Sequence, residues 1–354
     1  MWTEFTVEQF RGLQSAKLRD LSFVNIFVGS NGAGKTTLLE AASIAANPIN
    51  PGWLMTLSQW RDLPVVGPQN DDWLRSMFYG VAADRPIEIG WVDEHGVGSV
   101  QITPQVGSRF IPAGVSGGSG SGSGPQQDDF VGGLQLRYTP PGGKPVVTSL
   151  TLGSNGIQVQ GVGKPTPGGR GSFFIHARRS MSLGETASML TQAVEQRTEN
   201  QIYEALRRVD PRIVRLVPGI RGREPIVLAD VGLARLVPTN VLGDGFSRAL
   251  LMVTGAVSRT HNLLLVDDID SGLHNTVMEG VWHSLLTLNA ARPFQVFCTT
   301  HSEEMLDSTL SAFRGCPNLL RVFRLDRHPD DSVSVQPYTF DLYRDANFAG
   351  MDIR

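Results

Sequence analysis

Cysteine is nearly missing: Cys298 and Cys316 are the only two in 354 residues. Two cysteines cannot build a disulfide framework or a cysteine-held metal site. Lysine is almost as scarce. Lys17, Lys35, Lys144 and Lys164 are the only lysines among 31 basic residues, and the rest are arginine. Codon usage accounts for such a bias, but it makes each surviving lysine conspicuous. No apolar run approaches the ~20 residues that span a bilayer, and the opening MWTEFTVEQF has none of the anatomy of a signal peptide. With a net charge of −3, the chain lacks the overall positive charge of a dedicated nucleic-acid binder. These absences lead us to expect a cytoplasmic protein with no membrane partner. What is present is a hydrophobic fraction of 41% against 18% charged residues. That permits a full core and excludes wholesale disorder. The length allows two domains or one large α/β domain.

Local patterns divide the chain. Phe5, Val7 and Phe10 mark an early strand, and Leu21 to Val28 form a β-rich run broken by Gly29 to Gly34. Thr36 to Ala46 have helical composition and stop at Asn47-Pro48. Residues 50–80 are rich in tryptophan and read as irregular or helical. Beyond Pro86, apolar residues alternate (Ile87, Ile89, Trp91; Leu134, Leu136, Tyr138; Ile157, Val159), which predicts an antiparallel layer. The run GGSGSGSG at 117–124, inside a Gly/Ser-rich loop over 112–125, resembles an engineered linker or a naturally expanded hairpin loop. Glu185 to Val209 read as one helix. Residues 170–224 hold ten arginines against six acids. From Asp244 onward, helices near 246–258 and 275–289 alternate with strands at 263–267 and 295–300. Strands near 319–325 and 332–338 close the chain, a pattern of a parallel sheet covered by helices.

The strongest motif is Gly29-Ser30-Asn31-Gly32-Ala33-Gly34-Lys35-Thr36, followed by Thr37, a full match to G-x-x-x-x-G-K-[ST]. A β run enters it and a helix leaves it, as phosphate binding requires. Glycines let backbone N–H groups turn inward around phosphates, and the helix N-terminus adds partial positive charge. Lys35 would reach the β- and γ-phosphates of ATP, and Thr36 would offer a hydroxyl to Mg²⁺.

Further on, Leu263 to Val266 are four apolar residues ending in Asp267 and Asp268. A buried strand ending in Asp beside a phosphate loop holds the water shell of Mg²⁺. Asp267 takes that role, and Asp268 is placed to act as general base toward water. A second apolar strand, Gln295 to Thr300, ends at His301, which would face the ligand crevice of an open α/β sheet and contact the γ-phosphate.

The order of these segments carries a family resemblance. FTVEQFRGLQSAKL with Phe10-Arg11-Gly12, GSNGAGKTT, LLLVDDIDSGLH and FCTTHSEEM lie in the order of ABC-type ATPase heads, the group that includes RecF, SMC proteins and the overcoming-lysogenization-defect (OLD) ATPases. Val241-Leu242-Gly243-Asp244-Gly245-Phe246-Ser247-Arg248 sits where the ABC signature belongs. It is not LSGGQ. It resembles the L-G-D-G variant of compact OLD-like ATPases found in bacterial defence and toxin-like loci, and the tail ending Met351-Asp352-Ile353-Arg354 is similar to theirs.

The resemblance implies an α/β P-loop NTPase of the ABC-head type, with an antiparallel β layer and a helical lobe. It implies one head over 1–354. Residues 1–175 would form the P-loop and antiparallel lobe, 176–240 the helical lobe, and 241–354 the remainder of the core sheet. It implies a homodimer that sandwiches two ATP molecules, with Gly245 and Ser247 of one head meeting the γ-phosphate held by the other; a helix-entry turn capped by Asp244 is the plainer reading of that loop. Asp268 and Asp270 stand where the family has Glu, so either hydrolysis to ADP and phosphate would be slow or the protein would work mainly as an ATP-gated clamp. Gln59 and the segment Phe173 to Arg179 are both open as the Q-loop. Two roles are implied: an ATP-driven switch for a protein effector in anti-phage defence, or a RecF-like DNA-binding ATPase in which the 170–224 arginines contact phosphates. Paired with acids, those arginines would instead solvate the lobe. The absence of LSGGQ and of the catalytic Glu speaks against a transporter subunit. About fifty residues after His301 leave no room for a Toprim nuclease.

Overall fold

Val-Asn-Ile-Phe-Val at residues 24–28 is buried along its whole length. That is the behaviour of a strand covered on both faces. The computed structural model describes residues 1–65, 71–108, 129–153, 156–161, 171–177, 183–258 and 260–348. A hairpin of β1 (Trp2–Phe10) and β2 (Leu13–Leu18) precedes β3 (Val24–Val28), and α1 (Lys35–Ala46) comes after the phosphate loop. Then come α2 (Pro51–Gln59) and the short α3 (Asp72–Arg75). The alternating segments are β4 (Ile87–Asp93), β5 (Gly96–Ser108), β6 (Asp129–Thr139), β7 (Val146–Gly153) and β8 (Gly156–Gln160). With the first hairpin they form a seven-stranded sheet in the order β2-β1-β4-β5-β6-β7-β8, antiparallel at every pairing.

The chain returns to the core through β9 (Ser172–Ile175) and continues into α4 (Leu183–Glu195) and α5 (Glu199–Leu206). A small antiparallel sheet comes next, made of β10 (Arg215–Arg221), β11 (Glu224–Asp230) and β12 (Val237–Pro238). The remainder alternates: α6 (Asp244–Val257), β13 (Leu263–Val266), α7 (Asn275–Ala291), β14 (Gln295–Thr299), α8 (Glu303–Phe313), β15 (Leu320–Arg327), β16 (Val333–Thr339) and α9 (Phe340–Phe348). The core sheet runs β16-β15-β3-β14-β13-β9, parallel except for β16.

Strand periodicity divides this sheet between two cores. Val24, Ile26, Leu264, Val266, Val296 and Cys298 pack on one face with residues of α6, α7 and α8. Phe27, Leu263, Leu265, Phe297 and Phe323 point the other way, toward α1 and the seven-stranded sheet. There Phe297 meets Phe5 edge-on at 6.2 Å and Trp2 at 6.0 Å. Burying a ring of this size contributes about 1.5–3 kcal/mol. The side chain of Gln295 ties the sheets further: its Oε1 accepts from the Trp2 N–H, and its Nε2 donates to the carbonyls of Trp2 and Ser22.

The fold corrects several expectations drawn from the sequence. The single helix over Glu185 to Val209 is two helices. Arg197 takes φ 56, in the left-handed region that ends helices. Thr198 N–H bonds the Ala193 carbonyl at 2.8 Å and Arg197 N–H that of Val194 at 3.0 Å, so the last turn of α4 is closed off. The lobe expected to be helical over 176–240 carries the β10–β12 sheet as well, and β2 was not foreseen. The Gly/Ser run, the tail at 351–354 and Arg170, Arg178 and Arg179 lie outside the described residues. Among the described residues, no helix is long and apolar enough to cross a membrane.

Candidate functional site

The parallel register aligns the C-terminal ends of β3, β13, β14 and β9. Phe27 lies beside Thr299, and Val266 beside both Cys298 and Ile175. The residues just past the ends of these strands therefore converge on one crevice, where open α/β sheets bind ligands. A cavity of about 610 Å³ opens there, lined by Asn31, Gly32, Gly34, Lys35, Thr36 and Thr37 on one side and by Asp267, Asp268 and His301 on another.

The loop wraps the start of α1 as the motif requires. Gly29 adopts φ 134, and a Cβ there would lie 2.2 Å from the Leu325 carbonyl oxygen, so no other residue fits. Gly29 and Ala33 are buried beneath the loop and Ser30 is exposed, and none of the three lines the cavity. Lys35 is 7% exposed and folds back over the loop. Its Nζ donates to the Gly29 carbonyl at 2.6 Å and the Ser30 carbonyl at 3.0 Å. Burial pulls its pKa down, while Asp268 and Asp267 oppose that.

Thr36 and Asp267, 231 positions apart, are in direct contact: the hydroxyl donates to both carboxylate oxygens, at 3.0 and 3.2 Å. Thr299 donates to the same carboxylate at 2.8 Å and accepts from the Asp268 N–H at 2.8 Å. One threonine thus fixes both acids. Asp268 has φ 46, a strained setting for a non-glycine residue. Burial raises its pKa and the charge of Asp267 raises it further, with His301 and Lys35 acting against them. Thr300 donates to Asp270 at 2.5 Å, which holds the turn beyond. A threonine hydroxyl and one carboxylate make a sparse oxygen donor set, the kind that suits Mg²⁺, an ion that keeps waters and takes phosphate oxygens. Among the described residues there is no cluster of three His, Cys, Asp or Glu able to hold a metal by themselves.

Several residues of the site were not foreseen. Arg61 lines the cavity without having been expected there; of the two Q-loop candidates Gln59 does not line it, while His176 and Ala177 of the other do. Arg11 and Arg61 converge on Glu40, which is fully buried on α1. Arg61 grips it through two bonds of 2.7 and 3.0 Å, and Arg11 Nε lies 2.9 Å from Glu40 Oε2. Arg61 also reaches the Thr37 hydroxyl at 3.3 Å. Arg327 caps the loop by donating to the Gly32 carbonyl at 2.9 Å and is held by Asp331. Glu40→Gln leaves Arg11 buried without its counter-charge. We expect a loss of about 3 kcal/mol, read as a lower midpoint in urea. An unchanged midpoint would show that the two arginines do not depend on that charge.

Gly245 and Ser247 do not line this cavity. They lie in the first turn of α6, where the N-cap is Gly243 with φ 103; Asp244 makes no capping bond, contrary to the plainer expectation. Gly245 packs so closely that a Cβ would come within 2.9 Å of the Gly272 carbonyl oxygen. Arg248, one turn on, donates from Nη2 to the carbonyls of Asp267 and Asp268 at 2.6 and 2.7 Å. In the arginine-rich segment, Arg207 donates to the Ile213 and Val214 carbonyls, Arg212 pairs with Asp210, and Arg215 lies 3.4 Å from Asp230.

Comparison with known proteins adds the fold. Residues 180–307 match the family model described as an AAA domain, putative AbiEii toxin, Type IV TA system. No curated protein matches the chain. Among solved structures, an Smc head bound to the C-terminal winged-helix domain of ScpA aligns with a TM-score of 0.54 at 12% identity, covering 97% of this chain and 99% of that one. An Smc head domain with an extended coiled coil, bound to the C-terminal domain of ScpA and derived from Pyrococcus furiosus, aligns at 0.51 and 10% identity, covering 98% of each. The chain has the α/β fold of a P-loop NTPase of the ABC-ATPase head type.

Proposed function

We propose that this chain is an ATPase head that binds Mg-ATP in the crevice, closes head-to-head on a second copy around two nucleotides, and through that closure switches a protein effector in a defence or toxin-like setting. The observation that carries the reading is the Thr36–Asp267 contact, 3.0 Å from hydroxyl to carboxylate, beside a lysine folded onto its own phosphate loop. Mg²⁺ bound there would supply neutralisation of phosphate charge. Thr36 and Asp267 would hold its shell. Lys35 exchanges two loop carbonyls for β- and γ-phosphate oxygens, and the backbone N–H groups from Gly32 to Thr37 cradle the phosphates. Asp268 orients the attacking water and accepts its proton, and His301 contacts the γ-phosphate. Gly245 and Ser247 act on the nucleotide of the other copy. Their position at the first turn of α6, away from their own cavity, supports a role in trans.

The toxin-like family description over 180–307 supports the setting. A protein partner is in keeping with the two Smc heads, each solved with a part of ScpA. The test is mass by light scattering together with phosphate release, in Mg-ATP and in Mg-ADP. Doubling of mass with ATP alone, and phosphate release, are expected. A monomer in both, with no release above that of Lys35→Ala, would end the reading. For the setting, no neighbour-encoded protein copurifying and unchanged phage resistance on deletion would count against it.

A RecF-like DNA-binding ATPase is the second reading. Arg221 and Arg223 favour it, being exposed beside the β10–β11 turn with no acidic partner among the described residues. Duplex binding that weakens steeply across a salt series would support it, and binding independent of salt would not.

A further inference from the structure

The turn after β13 is built against its own preferences. Asp268 holds φ 46, and the carbonyls of Asp267 and Asp268 converge on a single nitrogen. Two carbonyl dipoles aimed at one point repel unless a donor sits there. Arg248 Nη2 is that donor, and it brings a full charge. It spends both hydrogens on the pair and reaches them from α6, about twenty residues earlier in the chain. The arrangement is costly: Arg248 is half-buried, and its buried Nε has no hydrogen-bond partner. One turn earlier on the same face of α6, Gly245 abuts residues beyond that turn: a Cβ on it would lie 2.9 Å from the Gly272 carbonyl oxygen. Two independent contacts therefore join the first turns of α6 to residues 267–272. The far end of that connection, at Val241, is 69% exposed.

We propose that Arg248 is a positioning residue that makes α6 and the Asp267–Asp268 turn move as one body. A displacement imposed at the exposed entry to α6 is then delivered to Asp268, changing its place relative to Lys35 and Thr36. Each head senses in its own crevice whether its α6 entry is engaged. The part played by Asp268 in turnover rests on the ATPase reading given above. The mechanical joint does not.

The experiment uses Arg248→Gln and Arg248→Lys in the full chain. The amides of Ile269 and Ser271 are bonded to the carbonyls of Thr299 and Asp268, so exchange there, measured without added nucleotide, reads the turn. Hydrogen exchange over 267–273 is expected to rise about tenfold in Arg248→Gln, with α1 unchanged. Arg248→Lys, which keeps the charge but not the planar fork, is expected to recover part of the protection. In turnover, Arg248→Gln is expected to lower kcat about tenfold or more with KM within about threefold. A variant that merely loosened the fold would raise exchange in α1 and shift KM too. Unchanged exchange at 267–273, or wild-type kcat in Arg248→Gln, overturns the proposal. If the wild type releases no phosphate above Lys35→Ala, the ATPase reading falls by itself, and exchange still decides whether Arg248 holds the turn.

Discussion

Lys35→Ala is expected to weaken Mg-ATP binding by at least about 100-fold, because a charge-assisted hydrogen bond contributes about 1.5–3 kcal/mol and this ammonium makes two. Those bonds are made to the Gly29 and Ser30 carbonyls, at 2.6 and 3.0 Å. Alanine would remove the cation and leave two inward carbonyls facing incoming phosphate. The fold should survive, since the loop keeps Ala33 in the core and the Arg327 cap on Gly32. Calorimetric titration with a non-hydrolysable ATP analogue reads the effect, with a urea midpoint as control. Wild-type affinity in a folded Lys35→Ala protein would remove the phosphate site from this loop.

Asp268→Asn should lower kcat by about 10²–10⁴, the range of a lost general base, while leaving nucleotide affinity within a few-fold. Asparagine tolerates the left-handed backbone that Asp268 occupies at φ 46. It also keeps the N–H held by Thr299. The change therefore removes a charge and little else. With Mg-ATP the variant should accumulate as an ATP-bound dimer, stable over hours where the wild type returns to monomer. Normal turnover by a protein that stays monomeric would show that the base lies elsewhere.

How much of this was legible in the chain depends on where the partners lie. The phosphate loop was readable because all its parts are consecutive, from Gly29 to Thr36, between a strand and a helix. Asp267 was readable because an apolar strand ending in an acid has few other uses next to such a loop. The Arg11–Glu40–Arg61 cluster was not: its members come from a hairpin, a helix and a connection, and each alone looks like a surface charge. Arg248 was read as part of a signature, but nothing in its neighbours announces two carbonyl partners. The β10–β11 hairpin was missed because Pro218 and Gly219 interrupt the alternation. The turn at Gly222 and Arg223, where the backbone of Arg221 stands opposite that of Glu224, was the signal available. The break at Arg197 was hidden because an arginine stands where a glycine would have marked it.

The order of the core sheet also sets a clock. β3 lies between β14 and β15, so both of its neighbours are made after nearly the whole chain: Val24 pairs with Val296 on one side and Leu320 on the other. At about 5–20 residues per second of synthesis, the strand that carries the phosphate loop waits roughly 15–50 s for its first partner. During that interval Val24, Ile26, Phe27 and Val28 have no sheet to enter, which exposes an unpaired apolar segment to other nascent chains. The seven-stranded sheet is complete by Gln160, and Phe5 and Trp2 within it supply apolar surface that can shelter the waiting strand. Chaperone supply, more than the stability of the finished head, should then set its yield on overexpression.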